Sequence, residues 1–294
     1  WKLAPALAAG NTVVIKPSER ASCSTLELMS ILEEADLPEG LINVVTGFGT
    51  TTGAPLIEHD DVRMISFTGG TKGGSAASLS ASKKVKPIIM ELGGKSPQII
   101  FKDADLNLAV NGVVSGIFPV TGHSCISGSR ILAHKDIKEE FTNKLLEVVR
   151  KAKVGHPNDS STQIGPIANK EQYEFILSKI DDAEKRGLKL LIDGRSEKRS
   201  EGYYIGPTIF DNVPNEDDLA QNEVFGPVAS LQSWDNENEV IDIANDTIYG
   251  LAAGIWTQDI NKAIRTSDKI EAGTVYINNY FNASTQSPVG GFKQ

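Results

Sequence analysis

The feature that most limits the fold is a repeating pattern. Short β-branched or apolar runs close on glycine or a turn, and stretches with helical apolar spacing follow them. Residues 12–16 predict a buried strand. Residues 24–35 place Leu28, Ile31, Leu32 and Ala35 at helical spacing and stop before Pro38-Glu39-Gly40. Residues 41–46 predict a second strand, closed by Gly47 and Gly49. Residues 62–68 predict a third, closed by Gly69 and Gly70. A helix over Thr71–Ser82 and a strand over 85–92 follow. Strands that alternate with helices need crossover connections, so the sheet is expected to be mostly parallel with right-handed crossovers. Glycines at the carboxyl ends of such strands let a ligand approach the backbone closely.

A second α/β region is expected after Gly94. Residues 98–101 predict a strand. Residues 137–152 predict an amphipathic helix with Phe141, Leu145, Val148 and Val149 on one face, and residues 170–186 another with Tyr173, Ile176, Leu177 and Ile180. A helix over 237–244 is expected to be capped by Asp235, and residues 273–278 read as a late strand. The polar stretch 193–202 reads as a hairpin or surface loop. No internal repeat or low-complexity linker interrupts the chain, so two interlocked lobes are expected.

Composition bounds the partners. The 294 residues hold 38 Asp and Glu against 29 Lys and Arg, with no concentrated basic stripe. That balance argues against nucleic acid as the main partner. The mixed charges of 135–153 read as a solvated helix face. Two cysteines, Cys23 and Cys125, are too few for a disulfide scaffold in a chain of this size, which points to a reducing, cytoplasmic setting. No apolar run reaches the ~20 residues of a membrane span, and no secretory leader is visible. The chain opens on Trp1 in what reads as the middle of a helix, and Gly290 to Gln294 close no element. Both ends are expected to be cut.

Two segments suggest chemistry. Cys125 sits in Gly122-His123-Ser124-Cys125-Ile126-Ser127-Gly128-Ser129-Arg130. A thiolate is a strong nucleophile toward carbonyl carbon. Small polar neighbours let backbone N–H groups turn toward a developing oxyanion, and Arg130 adds positive charge that would favour thiolate. The plain alternative is a small buried apolar residue. Glu91 heads Glu91-Leu92-Gly93-Gly94-Lys95 and follows the apolar run Pro87-Ile88-Ile89-Met90. A carboxylate emerging from a buried strand suits a base that activates water; an ordinary strand-end carboxylate is the alternative. Gly69-Gly70-Thr71-Lys72-Gly73-Gly74, between a strand and a helix, suits a phosphate at a helix N-terminus or a flexible turn. Its pattern is neither that of the dinucleotide fingerprint nor that of a P-loop. Lys16-Pro17-Ser18-Glu19 puts a cation and an acid at a strand end, suited to ribose hydroxyls or to a surface turn.

Taken together, these segments closely resemble the NAD(P)-dependent aldehyde dehydrogenase superfamily. The likeness also rests on Trp1-Lys2-Leu3-Ala4-Pro5-Ala6-Leu7, Phe67-Thr68-Gly69, Glu223-Val224-Phe225-Gly226-Pro227 and Ser287-Pro288-Val289-Gly290-Gly291-Phe292-Lys293, in family order and spacing. The resemblance implies an α/β fold: a partial, parallel-sheet Rossmann-like cofactor lobe over 1–93 and an α/β catalytic lobe over 94–294. It implies Cys125 as nucleophile and Glu91 as general base. Lys16 and Glu19 would contact the adenosine ribose. Gly69, Gly70 and Gly74 would form the turn under the pyrophosphate, with Gly47 at the neighbouring strand end. Leu92 would lie near the nicotinamide, Glu223 would bind its ribose, and Phe225 would pack beside it. Asn278 would sit near the mouth of a substrate tunnel, with Phe118, Ile126 and Phe281 as an apolar entrance. The substrate implied is a small-molecule aldehyde. The cofactor is NAD rather than NADP, because Glu19 would repel a 2′-phosphate. No metal, nucleic acid or membrane is implied, and the full-length protein is expected to be a homodimer or homotetramer.

The chain departs from the family pattern at four positions. His123 stands where the family has Gln, Gly70 where a Ser is common, and Pro119 and Thr121 break the usual run before the cysteine. The resemblance also implies an N-terminal portion carrying an oxyanion-stabilising Asn, and a C-terminal oligomerisation strand, both outside this sequence. Two rival expectations remain: a truncated relative that holds NAD without turnover, and a cofactor-free thiol hydrolase.

Overall fold

A computed structural model describes every residue except Lys198, Ser200, Ala283 and Thr285. The chain divides into two compact units, Trp1–Leu92 and Gly93–Gln294.

The first unit runs α1 (Leu3–Ala8), β1 (Val13–Ile15), α2 (Ser22–Glu33), β2 (Ile42–Val44), α3 (Ala54–Glu58), β3 (Ile65–Thr68), α4 (Thr71–Ser82) and β4 (Ile88–Glu91). β1 pairs with β2 and β3 with β4, both in parallel. Each pair is joined through a helix, as parallel pairing requires. Two expectations are corrected here. β1 is not buried: Val14 is 44% exposed between two half-buried neighbours. β4 is not a buried strand either, since Ile89 is 48% exposed. Both read as alternating strands with one open face, the period-2 pattern of a half-covered sheet. No residue of α2 is buried, and Leu28 and Ile31 of its apolar stripe are exposed. α4 does pack, through Gly74, Ala77 and Ala81.

The second unit runs β5 (Pro97–Ile100), α5 (Leu106–Ile117), β6 (Arg130–His134), α6 (Lys138–Val149), α7 (Lys170–Lys185), β7 (Lys189–Ile192), β8 (Thr208–Asp211), α8 (Asp218–Gln221), β9 (Val228–Trp234), α9 (Glu237–Asn245), β10 (Tyr249–Gly250), β11 (Ala252–Trp256), α10 (Ile260–Ser267), β12 (Thr274–Ile277) and β13 (Phe292–Lys293). Seven strands form one sheet in the order β12-β11-β5-β6-β9-β8-β7, parallel except for β7 against β8. Every residue of β5, β6 and β11 is buried, as in a sheet covered on both faces. Phe141, Leu145 and Val149 of α6 and Val110 and Val113 of α5 pack with Ile100, Ile131 and Trp256. Ile176 and Ile180 of α7 pack with Phe210. Full burial of side chains of this size stabilises by roughly 1.5–3 kcal/mol each.

α9 is capped by Asn236, not Asp235. Asn236 accepts from the Glu239 N–H while the Glu239 carboxylate accepts from the Asn236 N–H, a reciprocal capping box. The polar stretch after β7 begins as a 3₁₀ turn over Gly194–Ser196, capped by Asp193. The part of that expectation falling on Lys198 and Ser200 lies outside the described residues. Among the described residues, no helix is long and apolar enough to cross a membrane, and no group of three or more His, Cys, Asp or Glu could hold a metal ion.

Candidate functional site

The residues singled out by sequence fall in both units. In the first unit they gather at the carboxyl ends of the parallel strands. Lys16 directly follows β1 and donates from Nζ to the Gly47 carbonyl at 3.0 Å and the Pro17 carbonyl at 2.6 Å. Its ammonium lies 3.8 Å from the Glu19 carboxylate. Lys16 thus ties the end of β1 to the end of β2 and steers Glu19, whose side chain is 39% exposed and open to a ligand hydroxyl. Gly69 follows β3, and its N–H donates to the Glu91 carbonyl at 3.1 Å, extending the β3–β4 ladder by one bond. Gly70 caps α4 with no side-chain hydrogen bond, so the first N–H groups of that helix have no side-chain acceptor there. A Cβ on Gly74 would come within 2.5 Å of Leu92, so only glycine lets Leu92 rest on the first turn of α4. Glu91 is half-buried at the end of β4, opposite Thr68. Its charge also bears on Lys2, whose ammonium donates to the Ser66 carbonyl at 3.0 Å. Burial pushes that amine down, and Glu91 partly offsets the effect.

In the second unit, three backbone segments converge near Cys125. The first is the turn before it. Val120, Thr121 and Gly122 follow one another in left-handed conformation, with φ of 53°, 57° and 71°. Such geometry is costly for a β-branched residue. The Thr121 hydroxyl donates to the Gly165 carbonyl at 3.2 Å, which anchors the turn. The second segment is the Gly93-Gly94 pair. A Cβ on Gly94 would lie 2.1 Å from the Cys125 carbonyl oxygen, and one on Gly93 would lie 2.5 Å from a Glu223 carboxylate oxygen. The backbone therefore passes between the cysteine loop and Glu223 only because neither residue has a side chain. The third is Glu223 to Gly226. The Gly94 N–H donates to Glu223 Oε1 at 3.2 Å, and burial pushes the Glu223 carboxyl above the usual carboxylate range. Gln172 of α7 donates from its amide to the Val224 and Phe225 carbonyls at 2.9 and 3.0 Å. Gly94, Gly122, Ser124, Glu223, Phe225 and Gly226 line one recess.

Arg130 does not serve the thiol as expected. It is fully buried in β6, and its guanidinium donates to the carbonyls of Ile243 and Ala244 and to Asn215 Oδ1. It satisfies the end of α9. Asn278 likewise spends its amide on Thr257, donating to its carbonyl at 2.8 Å and accepting from its N–H at 3.0 Å. Phe118 is buried, with Ile126 and Phe281 packed against the same core.

Two buried polar side chains that no sequence expectation names also shape the cysteine loop. Buried Gln98 accepts from the Trp256 indole at 3.1 Å and donates to the Gly128 carbonyl at 3.4 Å, so it braces the far side of the cysteine loop. The buried Tyr280 hydroxyl donates to the Ile126 carbonyl at 2.8 Å, and burial pushes its ionisation up. Lys95 is 2% exposed, and burial pushes its amine down to about 7. A glutamine inside the apolar run 97–101 was the one available signal.

A model of the aldehyde dehydrogenase family matches residues 1–294. Aldehyde dehydrogenase of Emericella nidulans is 43% identical over 295 residues, covering 100% of this chain and 59% of that protein. Aldehyde dehydrogenase 1A1 of Gallus gallus is 44% identical over 294 residues, covering 100% of this chain and 58% of its own length. The crystal structure of PnpE in complex with nicotinamide adenine dinucleotide superposes with a TM-score of 0.96 at 40% identity, covering 100% of this chain and 61% of that one. The chain thus spans about three-fifths of the relatives it matches.

Proposed function

The chain belongs to the aldehyde dehydrogenase family, and on that premise we propose that it carries the thiol, base and cofactor contacts for oxidising an aldehyde to a carboxylic acid with NAD. One observation carries the reading most. The Cys125 loop, the Gly93-Gly94 backbone and the Glu223 turn meet around one recess, at distances that only glycine permits.

The residues present fit a dinucleotide. The uncapped start of α4 after Gly70 offers N–H groups to a pyrophosphate, and Gly69 and Gly74 keep that turn free of side chains. Lys16 and Glu19 suit the hydroxyls of the adenosine ribose, and Gly47 fixes Lys16. Glu223 suits the hydroxyls of the second ribose, with Phe225 beside it and Leu92 near the ring. The Glu19 carboxylate favours NAD over NADP by repelling a 2′-phosphate.

Cys125 attacks the aldehyde carbon, and its own backbone N–H can hold the developing oxyanion. NAD, when bound, supplies the hydride acceptor that turns the thiohemiacetal into a thioester. Glu91 takes a proton from water as that water attacks the thioester, which frees the acid and returns the thiol. In this reading Trp1–Leu92 serves as part of the NAD-binding domain and Gly93–Gln294 as the catalytic domain.

The test follows NADH formation by the chain with NAD and a panel of aliphatic, aromatic and amino-aldehydes, with Cys125→Ala as control. NADH and acid appearing only with the thiol present is the expected result. NAD binding with neither product would favour a binding role. Ester cleavage without NAD that is lost in Cys125→Ala would favour a thiol hydrolase.

A further inference from the structure

His123 is the residue by which this chain departs from its family two positions before the nucleophile, and the structure gives it specific surroundings. Its ring centroid lies 5.5 Å from that of Phe225 at an interplanar angle of 40°, within the range of favourable aromatic pairs. Its Nε2 is buried and has no hydrogen-bond partner among the described residues. An imidazole kept where its nitrogen makes no bond is kept for its ring, since the orphaned polar atom is itself a cost.

Phe225 needs such a contact. It adopts φ of 52°, a left-handed conformation unfavourable for an aromatic residue, and strained residues persist only where their surroundings hold them. Gln172 grips the backbone carbonyls of Val224 and Phe225 from α7. A Cβ on Gly122 would meet the Gly226 carbonyl at 2.2 Å, so the cysteine turn lies directly against the residue after Phe225. Neither contact touches the Phe225 side chain, which is 38% exposed. Among the described residues, His123 makes the one aromatic contact with that ring. Burial pushes the imidazole down toward its neutral form, which suits apolar packing.

We propose that His123 is a positioning residue whose ring braces Phe225 across from the cysteine loop, holding the Glu223–Phe225 turn in the form that presents the Glu223 carboxylate to a ribose. The ribose half rests on the function proposed above; the bracing half does not. A glutamine amide has no aromatic face and could not make this ring contact.

Hydrogen–deuterium exchange on the whole chain separates the possibilities. His123→Gln and His123→Ala should speed exchange of amides 223–226 by about three- to tenfold, the loss of one aromatic pair. His123→Phe, which keeps a ring and removes the orphaned nitrogen, should restore protection. NAD affinity measured by calorimetry should weaken by a similar factor in the first two variants and recover in His123→Phe. Unchanged exchange at 223–226 in His123→Gln, or no recovery in His123→Phe, overturns the brace. Faster exchange spread evenly over the β5, β6 and β9 peptides also overturns it, because it would mark a general loss of stability. Should His123→Ala not fold, the Gln and Phe variants decide alone. Should the exchange pattern hold while the unsubstituted chain binds no NAD, the brace stands and the ribose role falls.

Discussion

Trp1–Leu92 and Gly93–Gln294 share one α/β pattern yet differ in what they bury. In the first unit the strands are three or four residues long, lie in separate parallel pairs and keep an open face, with Val14, Leu28, Ile31 and Ile89 exposed. In the second, seven strands share one sheet, and β5, β6 and β11 are buried throughout. The candidate groups fall in both units. Glu19 is exposed beside Lys16, whose side chain is only 17% exposed and holds the Pro17 and Gly47 carbonyls. The Cys125 loop is held by buried Gln98 and Tyr280, and the Glu223 turn by half-buried Gln172. Reacting groups need fixed positions; Cys125 lies in the denser unit, whereas Glu91, half-buried, ends β4 of the first.

Four substitutions sharpen or break this contrast. The largest effect is expected from Cys125→Ala, which should lower aldehyde-dependent NADH formation by at least about a thousandfold while NAD binding survives. Retained turnover would remove Cys125 from the role of nucleophile. Glu91→Gln should slow steady-state turnover by about a hundredfold or more yet leave the first burst of NADH in rapid mixing. Equal loss of burst and steady state would remove Glu91 from the role of base.

Lys95→Met tests the dense interior itself. Lys95 titrates near 7 in the folded chain against 10.5 when free. Between those values the unfolded chain binds the extra proton, so stability rises with pH across the window and is lower beneath it. Urea unfolding at about pH 7 and about pH 10 should show that rise in the parent and not in Lys95→Met. The variant should also be the more stable near neutrality, by about 2–4 kcal/mol. A parallel pH profile in both would mean the amine is paired. The smallest effect is expected from Glu19→Gln. It should narrow the preference for NAD over NADP by about tenfold or less, as expected for a surface charge in high dielectric. An unchanged ratio would take Glu19 out of cofactor selection.

Much of the local structure could be read in advance. Thr71–Ser82 is a helix over its predicted range. The helices predicted over 137–152 and 170–186 lie within two or three residues of those observed, Lys138–Val149 and Lys170–Lys185. Periodicity carries such elements because one face is apolar along several turns. β6, β8, β9 and β11 were passed over because strands buried on both faces lose the alternation that marks a strand. The cap of α9 slipped by one residue because Asp235 and Asn236 are both good caps, and only the bond to Glu239 distinguishes them. Cys125 and Glu223 are legible as motif residues and Gln98 as the polar residue of an apolar run, whereas the partners of all three, and the roles of Tyr280 and Gln172, are not. Gln98, Tyr280 and Gln172 act through long-range hydrogen bonds to loop carbonyls, and no local pattern announces such bonds.

The amino-acid order by itself determined the helices Thr71–Ser82, Lys138–Val149 and Lys170–Lys185 to within a few residues, and the glycines at the strand ends, because propensity and backbone freedom are properties of a few neighbouring residues. Tertiary structure decided the rest. It sent Arg130 to the end of α9 rather than to the thiol, spent Asn278 on Thr257, left one face of β1 and β4 open, and set His123 against Phe225. A side chain's partners are chosen by which distant segments fold against it, and by the cost of leaving a buried polar group without one.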